Sequence, residues 1–363
     1  MRSTLDELNR ELAELRTLID SIAPVDKALS EHQDSVVQRY RTIRRRFDEA
    51  AVLVALYASF ERFAENLVDA YVQLVAKQRP YRELPSMLVK KHMAESAEML
   101  RRGRLGEGRY IGLNEVDVVK NLLSCIEGNI PYVLNMPAII AHDNNLRYNE
   151  LQTLFATAGI KELCVCVCRA EDLIEWHARS QDIQPPSEVP NEALRARLDD
   201  LVERRNEVAH RGRSPDQLLG TEEMRNLVDF IEALARATFA STTAMYLKQR
   251  YVEPGEATPL HRTTECYKRG TVVVVERPQC ILRLEQPLFV LAEKAPARWG
   301  RIISMHVDDT PVEMVDETTD AEEIGLELDF KCPKSTKTAH LFVLDVEDDA
   351  VWCPSGRPFN VAR

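Results

Sequence analysis

The chain has no long hydrophobic run. Its longest strongly apolar stretch, AAVLVALYA at Ala50 to Ala58, stops far short of the ~20 residues a helix needs to cross a bilayer. The opening residues, MRSTLDELNRELAEL, lack the apolar core of a secretory signal. No membrane partner is therefore expected. The eight cysteines show neither a secreted-type framework nor two CxxC pairs, so the expected location is a reducing cytoplasm. Neither a Walker-type glycine loop nor a nucleophile-elbow serine occurs. Carboxylates are too scattered to suggest a two-metal site, and no metal or cofactor is expected. Positive charge is also in deficit. A formal net charge of −11 argues against non-specific coating of nucleic acid.

What is present divides in two. With 363 residues the chain has room for about two domains, and the expected class is α+β multidomain, a helical bundle followed by an all-β sandwich or barrel. Residues 1–24 form a first helix on which Leu5, Leu8, Leu12, Leu15, Ile19 and Ile22 recur at alternating spacings of three and four. Two readings of that seam stand side by side: packing on its own domain, or a coiled-coil contact between chains. Pro24 is expected to break the run. Residues 25–251 form the main helical domain, with a long helical stretch near Val25–Lys77 that is either bent or split in two, and helices near Leu113–Glu127, Leu146–Ala158, Ile160–Arg179, Asn191–His210 and Thr221–Tyr251. The composition changes after VEPGEATP (Val252–Pro259). Nine of the 18 prolines fall in this last third, and short β-type runs appear, such as GTVVVVE, LFVLAE and IGLELDF. Seven such runs over 260–363 predict a small sandwich or barrel.

One segment carries chemistry. In ERRNEVAHRG (Glu203–Gly212), Asn206 and His210 are four apart and share a helix face. The long side chain of Arg205 swings toward the same region. Gly212 and Pro215 predict a helix end just after His210. An imidazole, an amide and guanidinium groups at one rim suit a phosphodiester: the imidazole takes a proton from a 2′-hydroxyl and a guanidinium grips phosphate oxygens. The same residues also fit a plain polar helix end, with His210 favoured by the helix dipole.

The motif resembles the R-x4–6-H signature of HEPN domains, in the form Arg205-Asn206-x-x-x-His210. LDDLVERRNEVAHRG is similar to the motif helix of the RiboL-PSP type of HEPN domain. HDNNLRYNELQTLFATAGI (His142–Ile160) resembles its upstream helix entry, and LYASFERFAENLVDAYV its early helix with Phe60 and Glu61. The likeness runs over residues 30–245. It implies a helical bundle that forms a homodimer with motif helices facing each other, and a metal-independent endoribonuclease acting as a toxin or anti-phage defence effector. It makes Arg205 and His210 the catalytic pair, Asn206 their polar companion, Arg204 and Arg211 the RNA-phosphate grips, and Glu61 a helper. The other expectation is a non-catalytic helical dimerisation module that binds RNA or a partner protein.

Other clusters read more plainly. RTIRRRF (Arg41–Phe47) and the Gly-rich RRGRLGEGRYIG (Arg101–Gly112) are solvated basic stretches that would also attract RNA. Cys164, Cys166 and Cys168 in CVCVC are small core thiols. The β-region has no local catalytic pattern. It is expected to recognise or regulate, with a protein or phage-derived ligand as its partner.

Overall fold

The computed structural model describes residues 1–103, 105–107, 110–128, 131–142, 144–211, 219–263, 266–316, 319, 321–333 and 338–352, with the side chains of 209–211 and 269 excepted. The expected helix stop at Gly212 and Pro215, residues Arg104 and Arg109 of the Gly-rich loop, Arg213 and Cys353 lie outside the described residues, as do the side chains of His210 and Arg211. Two compact units divide after Phe239: one spans Ser3–Phe239 and the other Ala240–Arg363.

In the first unit, helix α1 (Arg2–Ser30) runs straight through Pro24, so the expected break is absent. Proline removes one backbone donor. The six apolar side chains ahead of it, Leu5 to Ile22, are all buried and hold the helix regardless. The turns beyond are solvent-facing, and there Asp26 accepts both Nε and Nη2 of Arg41 at 2.9 Å. Seam burial within one chain selects packing on the own domain over a coiled-coil contact. The chain turns after Glu31, and α2 (Ser35–Ala76) begins on Asp34, whose Oδ1 accepts Val36 N–H at 2.7 Å. The long helical stretch is therefore two helices, split at Asp34 rather than at Pro24. Val52, Leu53, Leu56, Phe60, Phe63 and Leu67 of α2 are buried and form the axis of the bundle.

The unit also holds α3 (Ser86–Arg102), α4 (Glu115–Glu127), α5 (Met136–Ile140), α6 (Tyr148–Thr157), α7 (Leu163–Val167), α8 (Glu171–Gln181), α9 (Asn191–Arg211) and the first part of α10 (Thr221–Leu247), whose residues from Ala240 on belong to the second unit. The single helix expected over 160–179 is two, α7 and α8, because the chain turns at Cys168–Ala170. Buried His92 joins several of these elements. Its Nε2 accepts Asn135 N–H at 2.9 Å and its Nδ1 donates to Tyr81 Oη at 2.9 Å. Burial pushes its pKa down to about 4, so it is a neutral structural histidine.

The second unit holds the strands. β1 (Thr258–Leu260), β2 (Val272–Glu276), β4 (Pro287–Ala292), β5 (Arg298–Val307), β6 (Thr310–Val312), β8 (Glu323–Leu328) and β9 (Ala339–Val343) form one antiparallel sheet. Its order is β1-β9-β4-β5-β8-β2, with β6 beside β5. β3 (Leu282–Arg283) pairs with β7 (Met314–Val315). All seven expected runs contain a strand; β1 and β6, short and proline-bearing, were not anticipated. The ends of the sheet meet: Arg262 bridges Val275, and Glu276 N–H donates to His261 O at 2.7 Å. The sheet thus curls on itself, which removes an exposed edge. Val273, Val275, Leu288, Ile302, Leu326 and Leu341 fill its interior. Gly300 allows the curl to close. A Cβ there would lie 1.8 Å from Asp329 Oδ1, which instead accepts Arg301 N–H at 2.7 Å.

Candidate functional site

Three pieces of the helical unit converge on the motif: the last turns of α9, the middle of α2, and residues 141–142 and 144–147 between α5 and α6. α9 packs through buried Leu194, Leu198, Leu201 and Val202, and Arg205, four residues after Leu201, continues that packed row toward α2. Arg205 folds back along the helix, as its length allows, and Nη1 donates to Asn206 Oδ1 at 3.2 Å. Its guanidinium also lies 5.2 Å from the centre of the Tyr57 ring on α2, a cation–π distance. Arg205 Nε is buried and makes no hydrogen bond among the described residues.

Tyr57 connects this arginine to the rest of the site. Its Oη accepts Leu146 N–H at 2.8 Å and donates to Glu61 Oε1 at 2.9 Å. Burial, reinforced by the Glu61 charge, pushes the phenol pKa up, so the hydroxyl remains a donor. Glu61 Oε1 lies 4.0 Å from His142 Nε2, and the same nitrogen donates to Glu65 Oε1 at 2.9 Å. His142 Nδ1 donates to the Asn144 carbonyl at 2.7 Å. An imidazole flanked only by acceptors is satisfied as the cation, and the Glu65 bond, followed by the Asn144 carbonyl, raises its pKa.

Asn145 and Arg147 are tied to α9 as well. Asn145 Nδ2 donates to Asn206 Oδ1 at 2.9 Å. Arg147 reaches Asp199 at 3.2 Å and Glu203 at 3.0 Å. Asn206 Oδ1 therefore receives both Arg205 and Asn145, which fixes the amide's orientation. His210 follows one turn later on the α9 backbone.

A second cluster borders the motif. Arg204 Nε is held by Asp200 at 3.0 Å, and the fully buried Glu49 of α2 accepts Leu219 N–H at 2.9 Å. Arg45 donates to the carbonyl of the same Leu219. Burial raises the Glu49 pKa. The chain that returns after the motif is thus clamped on both sides of one residue.

Of the six residues singled out from sequence, the structure brings Arg205, Asn206 and Glu61 into one connected polar group, through Tyr57 and Asn145. Arg204 points to Asp200 instead. The side chains of His210 and Arg211 lie outside the described residues. Tyr57, His142, Asn145, Glu65 and Glu49 were not identified from sequence. A signal existed for three of them. Tyr57 is one turn before Glu61 on the same helix, and His142 and Asn145 open the quoted segment HDNNLRYNEL.

Of the other clusters, the RTIRRRF arginines are largely engaged, since Arg44 pairs with Asp48 at 3.1 Å and Arg41 and Arg45 bond as described above. Burial pushes the Cys164 and Cys168 thiols up to about 12, as expected of core thiols. Among the described residues no His, Cys, Asp or Glu group is arranged to hold a metal, and no helix is long and apolar enough to cross a membrane.

The family model RiboL-PSP-HEPN matches residues 6–243, which covers every element of this site. The chain belongs to the RiboL-PSP-HEPN family. HEPN domains are generally associated with ribonuclease activity. A comparison with the curated proteins finds no match.

Proposed function

We propose that this HEPN protein is a metal-independent endoribonuclease whose Arg205 and His210 act on one RNA phosphodiester. The observation that carries the proposal is the setting of Arg205. It is stacked on Tyr57, oriented by Asn206, and has a buried Nε–H that bonds no described residue. A guanidinium fixed in this way is suited to phosphate oxygens.

In the reaction, neutral His210 takes the proton of a 2′-hydroxyl. The 2′-oxygen attacks the adjacent phosphorus, and Arg205 stabilises the charge that builds on the non-bridging oxygens. The P–O5′ bond breaks and the 5′-oxygen leaves with a proton from water or from a second imidazole. The products are a 2′,3′-cyclic phosphate and a 5′-hydroxyl. Asn206 orients Arg205, Arg211 steers the backbone, joined by Arg204 once it gives up its bond to Asp200, and Glu61 keeps the Tyr57 hydroxyl in place. Two copies of the chain would share the cleft. In the cell the protein would act in the cytoplasm as a toxin or anti-phage effector, with the barrel recognising a protein or phage-derived ligand that restrains or releases it.

His210→Ala should lower cleavage by roughly two to four orders of magnitude, the usual worth of acid–base catalysis. An unchanged rate in the purified variant would overturn the mechanism. RNA retained but uncut by the wild-type chain, with EDTA present, would favour the binding-only reading.

A further inference from the structure

Two cysteines meet where the ends of the barrel sheet join. Cys266 lies between β1 and β2, and Cys332 between β8 and β9. The chain beside each is pinned to the entry of β2. Tyr267 N–H donates to Val272 O at 2.8 Å, and Cys332 N–H donates to Gly270 O at 2.7 Å. Gly270 permits that approach, since its φ is +100° and a Cβ there would lie 2.8 Å from Cys332 O. A hydrogen bond joins the two sulfurs, and neither is in a disulfide. The pair is asymmetric. Cys332 is 3% exposed, within the barrel core, whereas Cys266 is only half-buried. A guanidinium stands over Cys266: Arg262 Nη1 donates to its Sγ at 3.2 Å and to Pro333 O at 2.9 Å, and Nη2 donates to Ala339 O at 3.0 Å. The two carbonyls fix the arginine, which keeps its proton at any ordinary pH, so the sulfur faces a permanent cation. Arg298, whose Nη1 donates to Lys331 O at 2.9 Å, adds a second positive charge. Cys266 Sγ also lies 3.4 Å from Pro333 O, a carbonyl that Arg262 already engages.

We propose that Cys266 and Cys332 form a dithiol site for hydroperoxides, with Cys266 the attacking sulfur and Cys332 the resolving one. An accessible thiolate held by a cation, with a second thiol in contact, is the arrangement that such oxidants select. The bond from the Cys332 thiol, followed by the Arg262 charge, outweighs burial and lowers the Cys266 thiol below its ordinary value, while Cys332, left as the donor, is raised. Burial instead pushes Cys125, Cys164, Cys168 and Cys280 upward. A metal fits the pair poorly, because two guanidinium groups repel a cation and no third ligand joins the cysteines among the described residues. In the reaction the Cys266 thiolate attacks one peroxide oxygen. The O–O bond breaks, and the other oxygen leaves with the electron pair and takes a proton from water. Cys266 is then a sulfenic acid. The Cys332 sulfur attacks the Cys266 sulfur, and the S–OH oxygen departs with the Cys332 proton as water. Two electrons have passed from the sulfurs to the peroxide, and one disulfide has formed. It ties the chain ahead of β2 to the chain ahead of β9 and so locks the closure of the barrel. Nothing in this chemistry depends on the ribonuclease reading.

The test treats the reduced full chain at pH 7 with a slight molar excess of hydrogen peroxide, alkylates the remaining thiols and maps the peptides by mass. A Cys266–Cys332 linkage should appear before any other cysteine is oxidised. Cys332→Ser should stop at the sulfenic acid, which dimedone traps on Cys266. Arg262→Gln should slow the oxidation of Cys266 about tenfold, since an ordinary thiol of pKa ~8.5 is only a few per cent thiolate at pH 7. The pH midpoint of Cys266 alkylation should rise in the same variant, which a merely structural role for Arg262 does not require. Should Arg262→Gln fail to fold, the wild-type linkage and the Cys332→Ser adduct decide. The proposal is overturned if other cysteines oxidise first, or if Cys266 runs on to sulfinic acid with Cys332 still reduced. It is overturned equally if Cys332→Ser yields no dimedone adduct, if a folded Arg262→Gln chain reacts as fast as wild type, or if the linkage forms with glutathione disulfide but not with peroxide.

Discussion

The two units of this chain bury different things. The interior of the barrel is apolar: Val273, Val275, Ile302, Leu326 and their neighbours fill it. The helical unit buries Glu49, His92, Asn135 and Arg44 beside its hydrophobic residues. Among the described buried polar residues of the second unit are only the small hydroxyls Ser241, Thr242 and Thr243, all on α10. Burying a charge or an amide costs stability unless it is fully bonded. The helical unit carries that cost in two places, the His92–Asn135 cluster and the Glu49–Leu219 contact beside the motif helix, and the second is the physical reason to look for chemistry at that end of the unit.

Arg205→Ala puts that contrast to its largest test. Removing the guanidinium should cost roughly 10²–10³ in cleavage rate, the worth of one charge-stabilising donor, with the melting temperature nearly unchanged. A large loss of stability without a loss of rate would make Arg205 a structural residue. In the barrel the expectation reverses. Leu326→Ala should destabilise that unit by about 2–5 kcal/mol through lost burial and a residual cavity, read from denaturant unfolding, with no change in the chemistry of the cut. Tyr57→Phe sharpens the comparison inside the helical unit. It keeps the ring beneath Arg205 but strands Leu146 N–H, at a cost of about 1–3 kcal/mol, while cleavage should fall much less than in Arg205→Ala. If cleavage falls equally, the hydroxyl and not the guanidinium is the critical group.

The smallest effect concerns pH. His142 has a raised pKa because Glu65 and the Asn144 carbonyl hold its cation. Its contribution to stability is therefore complete below the ordinary histidine value of 6.5 and fades as pH rises through the folded value. Thermal melts of wild type and His142→Gln should differ most in mild acid and converge in alkali. A gap that widens with pH would contradict the charged state assigned to His142.

Much of the layout is legible from sequence because it follows periodicity. The α1 seam, the starts of α9 and α10 and all seven β-type runs are local signals. Pro24 misleads because the burial of Leu5 to Ile22, which is tertiary, outweighs a local breaker. β1 and β6 escape notice because three-residue strands carrying a proline have no alternation to detect. At the site, the Arg-Asn-x-x-x-His spacing identifies Arg205 and Asn206 but not their partners. Tyr57 and Asn145 are far away in sequence, and only the fold brings a phenol ring under the guanidinium. The α1 seam and Val36, Tyr40, Ile43 and Phe47 of α2 share the same three-and-four spacing, and only their burial separates them, the first buried and the second exposed.

The central claim is that Arg205 and His210 activate a ribose 2′-hydroxyl. The most direct measurement is the cleavage of an end-labelled RNA in EDTA, beside the same strand carrying one 2′-deoxy residue at the cut position. The account predicts a cut that leaves a 2′,3′-cyclic phosphate, loss of that cut in the deoxy strand, and the same loss in His210→Ala. Equal cutting of both strands, or a product with a 3′-hydroxyl end, would contradict it.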